Sequence, residues 1–459
     1  MEHSFSGTVF EGGVCIKKRF FILLLTVLIL VSFSGCTIVS GIETYLKPPK
    51  LSEQHEQIYN ALINAEGTKI SLKYPKSGNY LSAFVVADID NEPSDEAIVF
   101  YEKTNLTGSD LSTLRINFLD QKNGKWDSVY DFATDGTEVE RVFISKLGSS
   151  DIKNIIIGIG SRTEKNAQLF CYDGEKKPEP KSLGFYSVMD VTDLNNDASN
   201  ELIMINNSLA ENTAQIKWLD SDGTLVSGPV LNLNENSTEV AQLIYGKINT
   251  SATAVYLDSY INTNTIMTEI LYPETFNNTI YLNSLRISNA ESSQINRTIR
   301  NSSLISRDID NDGIIEIPIN TVFKGYEDKP ETEQIQMTNW YVYEDNMFIR
   351  KYSSFYSITD GYAFILPEKW LESVTIKTIN DDVIFCIYDE KTENQTELMR
   401  ICVAGSAEAE EIINSDQYSR YERIYSNGDT VYLACLPSDS PDPLTLSISE
   451  ILFNFKVIK

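Results

Sequence analysis

The sequence predicts a mainly β protein, a β-propeller of about 5–6 four-stranded blades plus a small C-terminal α+β domain. Two observations lead to this prediction. An acidic loop and its degenerate copies recur along the chain at intervals of 47 to 61 residues, which suits one blade. Apolar runs and hairpin signals with Asn-Gly or Asp-Gly turns follow the loops. A β-sandwich or a β-solenoid built from similar strands is the alternative fold.

The acidic loop carries oxygen-bearing side chains at its positions 1, 3, 5 and 9. The clearest copy begins at Asp308, a second begins at Asp193 and a third begins at Asp88. Side chains at alternate positions of a tight loop turn inward, and Ca²⁺ prefers about six to eight oxygen ligands. The sequence therefore predicts a structural Ca²⁺ at these loops. The predicted ligands are Asp308, Asp310, Asp312, Glu316, Asp193, Asn195, Asp197, Glu201, Asp88, Asp90, Glu92 and Glu96.

The three loops differ at position 6, where such a turn favours a positive φ. Gly313 adopts this conformation freely, and Ala198 adopts it at a cost of about 1–2 kcal/mol. Pro93 is excluded from it, because its ring fixes φ at about −65°. We therefore expect Ca²⁺ occupancy to fall from the 308 loop to the 193 loop to the 88 loop. Solvated acidic turns without metal are the alternative.

Two degenerate copies of the loop lie between the acidic ones, and they begin at Lys146 and Lys247. Both lack the acidic side chains, so neither has the ligands for a divalent cation. Both keep the apolar run that follows. We therefore expect the repeat to have mainly a structural role and to bind metal only at alternate blades.

The acidic loops are not EF-hands. An EF-hand needs a bidentate Glu at position 12, where these loops have Ile319, Met204 or Val99. The acid at position 9 resembles the FG-GAP or VCBS type of repeat found in integrin-alpha-like β-propellers. This resemblance covers the repeats only, and it implies a calcium loop between two strands of a blade.

The N-terminus resembles the signal peptide of a bacterial lipoprotein. Basic residues 17–19 precede an apolar run over residues 20–31, and small residues then lead to Cys36. The resemblance implies cleavage before Cys36, a lipid on its thiol, and attachment to the outer face of the plasma membrane of a Gram-positive, clostridia-like bacterium. Phe33 departs from the Leu usual in such signals. A transmembrane anchor is the alternative.

These features divide the chain into four parts. Residues 1–35 are the predicted signal peptide, and residues 36–67 hold the lipid anchor, a Pro spacer and a short helix with Ser52 as its N-cap and Gly67 at its end. Residues 68–355 form the predicted propeller, and residues 356–459 form the C-terminal α+β domain. The start of that domain is faintly similar to PsbP-like domains, a resemblance that implies no chemistry. In the alternative, its strands form a sixth blade.

Composition excludes several functions. The formal net charge of −27 argues against nucleic acid as a partner. The chain has only two histidines, His3 and His55, so Ser-His-Asp and His-ligated metal chemistry lack their parts. We therefore expect a monomeric binding or scaffolding module, not an enzyme, whose partner is a surface protein or a glycan. A carboxylate-dependent glycan hydrolase or lyase is the alternative.

Overall fold

The computed structural model describes residues 51–67, 69–104, 113–208, 211–248, 253–285, 297–344, 347–392, 395–414, 421–437 and 443–458. The predicted signal peptide and Cys36 lie outside these residues. Within the described ranges, no helix combines the length and the apolar character needed to cross a membrane.

The described chain is mainly β, with a small helical part. Its helices are α1 (Glu53–Glu66), α2 (Ser406–Asn414) and α3 (Ile448–Asn454), with short 3-10 turns at Glu331–Glu333 and Glu368–Trp370. The strands are β1 (Ile70–Leu72), β2 (Phe84–Ala87), β3 (Glu96–Lys103), β4 (Arg115–Lys122), β5 (Lys125–Ala133), β6 (Glu138–Ser145), β7 (Asn154–Gly160), β8 (Lys165–Cys171), β9 (Lys181–Phe185), β10 (Val188–Thr192), β11 (Glu201–Asn207), β12 (Asn212–Leu219), β13 (Leu225–Ser227), β14 (Leu231–Asn232), β15 (Glu239–Lys247), β16 (Thr253–Asn262), β17 (Thr265–Phe276), β18 (Thr279–Ser284), β19 (Arg300–Asn301), β20 (Ile317–Val322), β21 (Gln336–Glu344), β22 (Met347–Ser357), β23 (Tyr362–Ile365), β24 (Val374–Ile379), β25 (Asp382–Tyr388), β26 (Gln395–Gly405), β27 (Tyr421–Asn427), β28 (Thr430–Cys435) and β29 (Phe455–Val457).

These strands form six antiparallel sheets in chain order. The first sheet holds β1–β5, the second β6–β9, the third β10–β14 and the fourth β15–β19. The fifth sheet holds β20–β23 with the C-terminal β29, and the sixth holds β24–β28. Consecutive strands are hairpin neighbours in most of these sheets, as the Asn-Gly and Asp-Gly turns predicted. In the described chain, none of the sheets closes on itself.

Each sheet packs against the next sheet along the chain. Between the first two sheets, the rings of Phe118 and Phe170 lie 5.5 Å apart in a core that also buries Ile98 and Ile157. Similar apolar cores join the second sheet to the third, the third to the fourth, the fourth to the fifth and the fifth to the sixth. Apolar contacts between neighbouring sheets therefore stabilise the fold.

The helix α1 covers part of the first sheet. Ser52 caps it by accepting a hydrogen bond from the His55 backbone N–H, and Gly67 ends it with φ of 63°. Ile58 and Leu62 are fully buried against that sheet. The sequence predicted this helix and both of its ends.

The fifth sheet contains strands from both sides of the predicted boundary between residues 355 and 356. That boundary lies inside β22, which continues to Ser357. β23 pairs with β22 on one side and with β29 on the other. The last strand of the chain therefore completes a sheet that begins before residue 355.

Candidate functional site

The acidic loops lie at the same end of their sheets. The 88 loop joins β2 to β3, the 193 loop joins β10 to β11, and the 308 loop precedes β20. Loops of consecutive sheets touch: the Gly148 N–H donates to the carbonyl of Asn200 at 2.7 Å, and the Lys247 N–H to that of Gly313 at 2.8 Å. The acidic and degenerate loops therefore form one row.

The side chain at loop position 9 has a structural role in every acidic copy. Its carboxylate accepts the backbone N–H of position 2, at 2.7 Å for Glu96, 2.9 Å for Glu201 and 3.0 Å for Glu316. In the degenerate copy that begins at Lys146, Asn154 accepts the same bond from Leu147 at 2.9 Å. Because a copy without metal ligands keeps this hydrogen bond, the main role of the side chain at position 9 is to close the loop.

Burial changes the ionisation of these capping carboxyl groups. Removal from water raises the pKa of Glu96, Glu201 and Glu316 to about 7, although a backbone hydrogen bond opposes the shift in each case. A nearby cation favours the charged form, and the hydrogen bond from Lys351 already lowers the pKa of Glu316 in this way.

The backbone at position 6 has the conformation that the sequence predicted. Gly313 has φ of 86° and Ala198 has φ of 69°. In both loops the carboxylate at position 1 binds this turn: Asp308 accepts the Gly313 N–H at 2.8 Å, and Asp193 accepts the Ala198 N–H at 2.9 Å. The first carboxylate of each loop is thus engaged with its own backbone.

The residue at position 4 of the loop was not predicted to matter, yet it shapes the turn. It is an asparagine in all three acidic loops, and Asn91, Asn196 and Asn311 have φ of 66°, 60° and 62°. Asparagine tolerates the left-handed region better than most residues, so this position was a readable signal. It also explains how the 88 loop turns despite Pro93.

The 88 loop brings three of its four predicted ligands together. Carboxylate oxygens of Asp88, Asp90 and Glu96 all lie within 4.8 Å of one another. Glu96 is 1% exposed, and its Oε1 is buried without a hydrogen-bond partner among the described residues. Glu92 is exposed and lies outside this group. Lys153 donates to the carbonyl of Asp88 at 2.6 Å.

The 308 loop gathers Asp308, Asp310 and Glu316 in the same way. However, an ammonium lies among its carboxylates: Lys351 Nζ is 2.9 Å from Asp310, 2.6 Å from Asp312 and 2.8 Å from Glu316. Burial lowers the pKa of Lys351, but the hydrogen bonds to these carboxylates outweigh it and raise that pKa overall.

The 193 loop does not assemble a comparable group within the described chain, where only the 88 and 308 loops bring three carboxylates so close. The Asn195 amide instead donates to Asp197 at 2.9 Å, and Asp197 accepts the Ser199 N–H at 2.8 Å. Side chains of this loop therefore bind mainly one another and the local backbone, together with the Glu201 cap.

A large cleft of about 1780 Å³ lies at the opposite end of the second, third and fourth sheets. The β7–β8 and β11–β12 hairpins line it, together with the connections that lead into β10 and β15. Phe185 is 59% exposed and Val230 is 57% exposed along this cleft. Asn206 and Asn232 are among its polar groups. The cleft was not predicted from the sequence, because hairpins of different sheets form it and no sequence motif marks it.

Comparison with known proteins gives little further guidance. No family model matches the chain, and no curated protein matches it. One similar solved structure is a proposed 6-phosphogluconolactonase from Bacteroides uniformis, with a TM-score of 0.27, 10% identity, and coverage of 67% of this chain and 82% of that chain. Another is a proposed 6-phosphogluconolactonase from Bacteroides fragilis, with a TM-score of 0.24, 11% identity, and coverage of 72% and 93%. At TM-scores this low, neither structure indicates the fold or the activity of this chain.

Proposed function

We propose that this protein is a cell-surface lipoprotein that acts as a binding or scaffolding module, and that its ligand is a surface protein or a glycan. The cleft of about 1780 Å³ is the observation that carries this proposal. It is concave, it has room for several sugar rings or a peptide segment, and it combines exposed apolar side chains with many hydrogen-bonding groups. Ligand sites commonly have this combination.

The exposed ring of Phe185 offers the sharpest test of the cleft. We expect Phe185→Ala to weaken binding about tenfold or more, because aromatic side chains in a binding site carry a large share of the affinity. Phe276→Ala is the matched control, since Phe276 is 64% exposed and does not line the cleft. Crosslinking from intact cells and binding to chitin, cellulose and peptidoglycan would measure the effect. If both variants lose binding equally, or if neither loses it, the cleft is not the binding site.

We also propose that the sheets are blades of a β-propeller. The first strands of consecutive sheets contact one another: Arg141 on β6 donates to Asp190 on β10 at 3.3 Å, and Tyr245 on β15 donates to Asp190 at 3.1 Å. The Gln242 side chain on β15 likewise donates to the carbonyl of Ser306, just before the 308 loop, at 2.7 Å. First strands side by side around an axis are what a propeller requires.

Calcium fits the 88 loop better than the sequence suggested. Three carboxylates meet there and Lys153 lies at their rim, 3.5 Å from Asp88, whereas Lys351 already places an ammonium among the carboxylates of the 308 loop. Asp88, Asp90 and Glu96 would hold the ion, which would stabilise the loop without taking part in chemistry. The proposed order of occupancy therefore places the 88 loop first, in contrast to the order that position 6 suggests.

Calcium should stabilise the native protein by mass action. At free Ca²⁺ about ten times Kd, one native-state site adds about 1.4 kcal/mol to the free energy of unfolding. We expect Asp90→Asn to abolish most of this gain and Asp310→Asn to leave it intact. Thermal unfolding in millimolar Ca²⁺ and in chelator measures both. If the wild-type curves superimpose, the loops are solvated turns.

Lipid anchoring rests on Cys36 and can be tested separately. We expect Cys36→Ser to move the protein from the membrane fraction to the soluble or precursor pool, because the lipid attaches to the thiol. Metabolic labelling with a fatty-acid probe, followed by fractionation, measures this. An unlabelled wild-type protein would contradict the lipoprotein assignment.

A glycan hydrolase or lyase is the second candidate, because the cleft also contains carboxylates, among them Glu140, Glu211, Glu235 and Glu239. Two suitably placed carboxylates are enough for glycoside hydrolysis. Glu140 is paired with Lys76 at 2.6 Å, which leaves Glu164, Glu211, Glu235 and Glu239 as the better candidates. Product formation on a glycan panel, lost in Glu211→Gln or Glu239→Gln with binding retained, would favour the enzyme over the binding module.

A further inference from the structure

The 308 loop has the most favourable sequence for calcium, yet one side chain of the same sheet fills its centre. Lys351 Nζ contacts Asp310, Asp312 and Glu316 at 2.6 to 2.9 Å. The ammonium donates hydrogen bonds to Asp312 and Glu316, and Asp310 lies in ion-pair contact with it. Asp308 does not need the ammonium, because its oxygens accept backbone N–H groups of its own loop.

A β-bulge explains how Lys351 reaches the loop. In the β21–β22 pair, Trp340 lies opposite Tyr352 and Tyr341 lies opposite Arg350, which leaves Lys351 as the extra residue. Bulges redirect side chains, and here the redirected chain is a lysine that is 21% exposed and points at three acids. The neighbouring Tyr352 donates to Asp310 at 2.7 Å, so the bulge delivers two donors to one loop.

The 88 loop provides the contrast. Its nearby lysine, Lys153, donates to the carbonyl of Asp88 at 2.6 Å and lies 3.5 Å from its carboxylate. The Glu96 Oε1 remains unpartnered among the described residues, as does Asp310 Oδ1 in the 308 loop, so the two loops differ in the position of the lysine. A lysine therefore lies at the rim of the 88 loop, whereas in the 308 loop a lysine lies at the centre.

We propose that Lys351 is the resident cation of the 308 loop, and that this loop is independent of calcium in the native protein. A divalent ion bound to the same oxygens would lie against the ammonium, and two like charges cannot share that space at low cost. The sheet thus supplies internally one of the two positive charges that Ca²⁺ would otherwise bring. This proposal does not depend on the identity of the ligand, nor on metal binding at the 88 loop.

Terbium and calcium titrations of the full-length protein test the proposal. We expect Asp310→Asn to leave the number of Tb³⁺ or Ca²⁺ ions bound per chain unchanged. Lys351→Met, which keeps the apolar stem, should gain one ion per chain, and Asp310→Asn in that background should remove it again. Tyr352 is close enough to sensitise Tb³⁺ luminescence at the new site. Lys324→Met is the control, since Lys324 pairs with Glu390 away from the loop.

Two results would overturn the proposal. One is a loss of one bound ion when Asp310→Asn is made in the wild-type protein, and the other is a folded Lys351→Met variant that gains no ion. If Lys351→Met does not fold, amine labelling of the wild-type protein decides. Lys351 should then react slowly and at the same rate with and without millimolar Ca²⁺. A severalfold faster reaction in Ca²⁺ would mean that the metal displaces the ammonium.

Discussion

Replacing Arg300 with methionine is expected to lower the free energy of unfolding by about 3–5 kcal/mol, because it leaves a buried carboxylate without its cation. The side chains of Arg300 and Asp258 are 2% and 0% exposed, and they form an ion pair at 3.0 Å. Arg300 also donates to Thr268 and to Ser306, at 2.8 and 2.9 Å. This network attaches the segment before the 308 loop to the fourth sheet.

Urea unfolding of Arg300→Met beside Lys125→Met measures this effect. The Lys125–Asp127 pair is exposed, so its loss should cost no more than about 1 kcal/mol. The double variant Arg300→Met, Asp258→Leu should regain much of the lost stability, since it removes the orphaned charge as well. Equal costs for the two single variants would mean that the buried pair contributes no more than a surface pair.

Local features of this chain were predictable from its sequence. The helix α1 was predicted with its Ser52 cap, because caps and amphipathic spacing lie within a few residues of one another. The positive φ at Gly313 and Ala198 followed from loop position alone. Strand runs after each loop were predicted for the same reason, since hydrophobic patterns and turn residues are local signals.

The features that decide the candidate site are not local. Lys351 meets Glu316 across 35 residues, and only the pairing of three strands and one bulge brings them together. The cleft likewise combines hairpins from separate sheets. The spacing of the acidic residues predicted carboxylate ligands, but it contained no information on which cation they face. Register between distant strands determines that.

The parts of the chain on either side of the predicted boundary at residue 355 are expected to unfold together. Trp370 is fully buried between the fifth and sixth sheets, with its ring 5.9 Å from that of Phe364 and 5.6 Å from that of Phe385. Its indole N–H donates to the carbonyl of Leu444 at 2.7 Å. One core thus includes side chains from both sheets, so unfolding of either sheet would also disrupt the core of the other.

Trp370→Ala should therefore lower the free energy of unfolding by about 3–5 kcal/mol, through lost apolar contact and the cavity left behind. Hydrogen exchange should show amide protection falling in β21 of the fifth sheet and in β25 of the sixth by similar factors, because both sheets rest on the same core. Phe453→Ala is the control: Phe453 is 75% exposed, so its loss should change stability by no more than about 0.5 kcal/mol. Protection lost in β25 but retained in β21 would instead support an independent domain after residue 355.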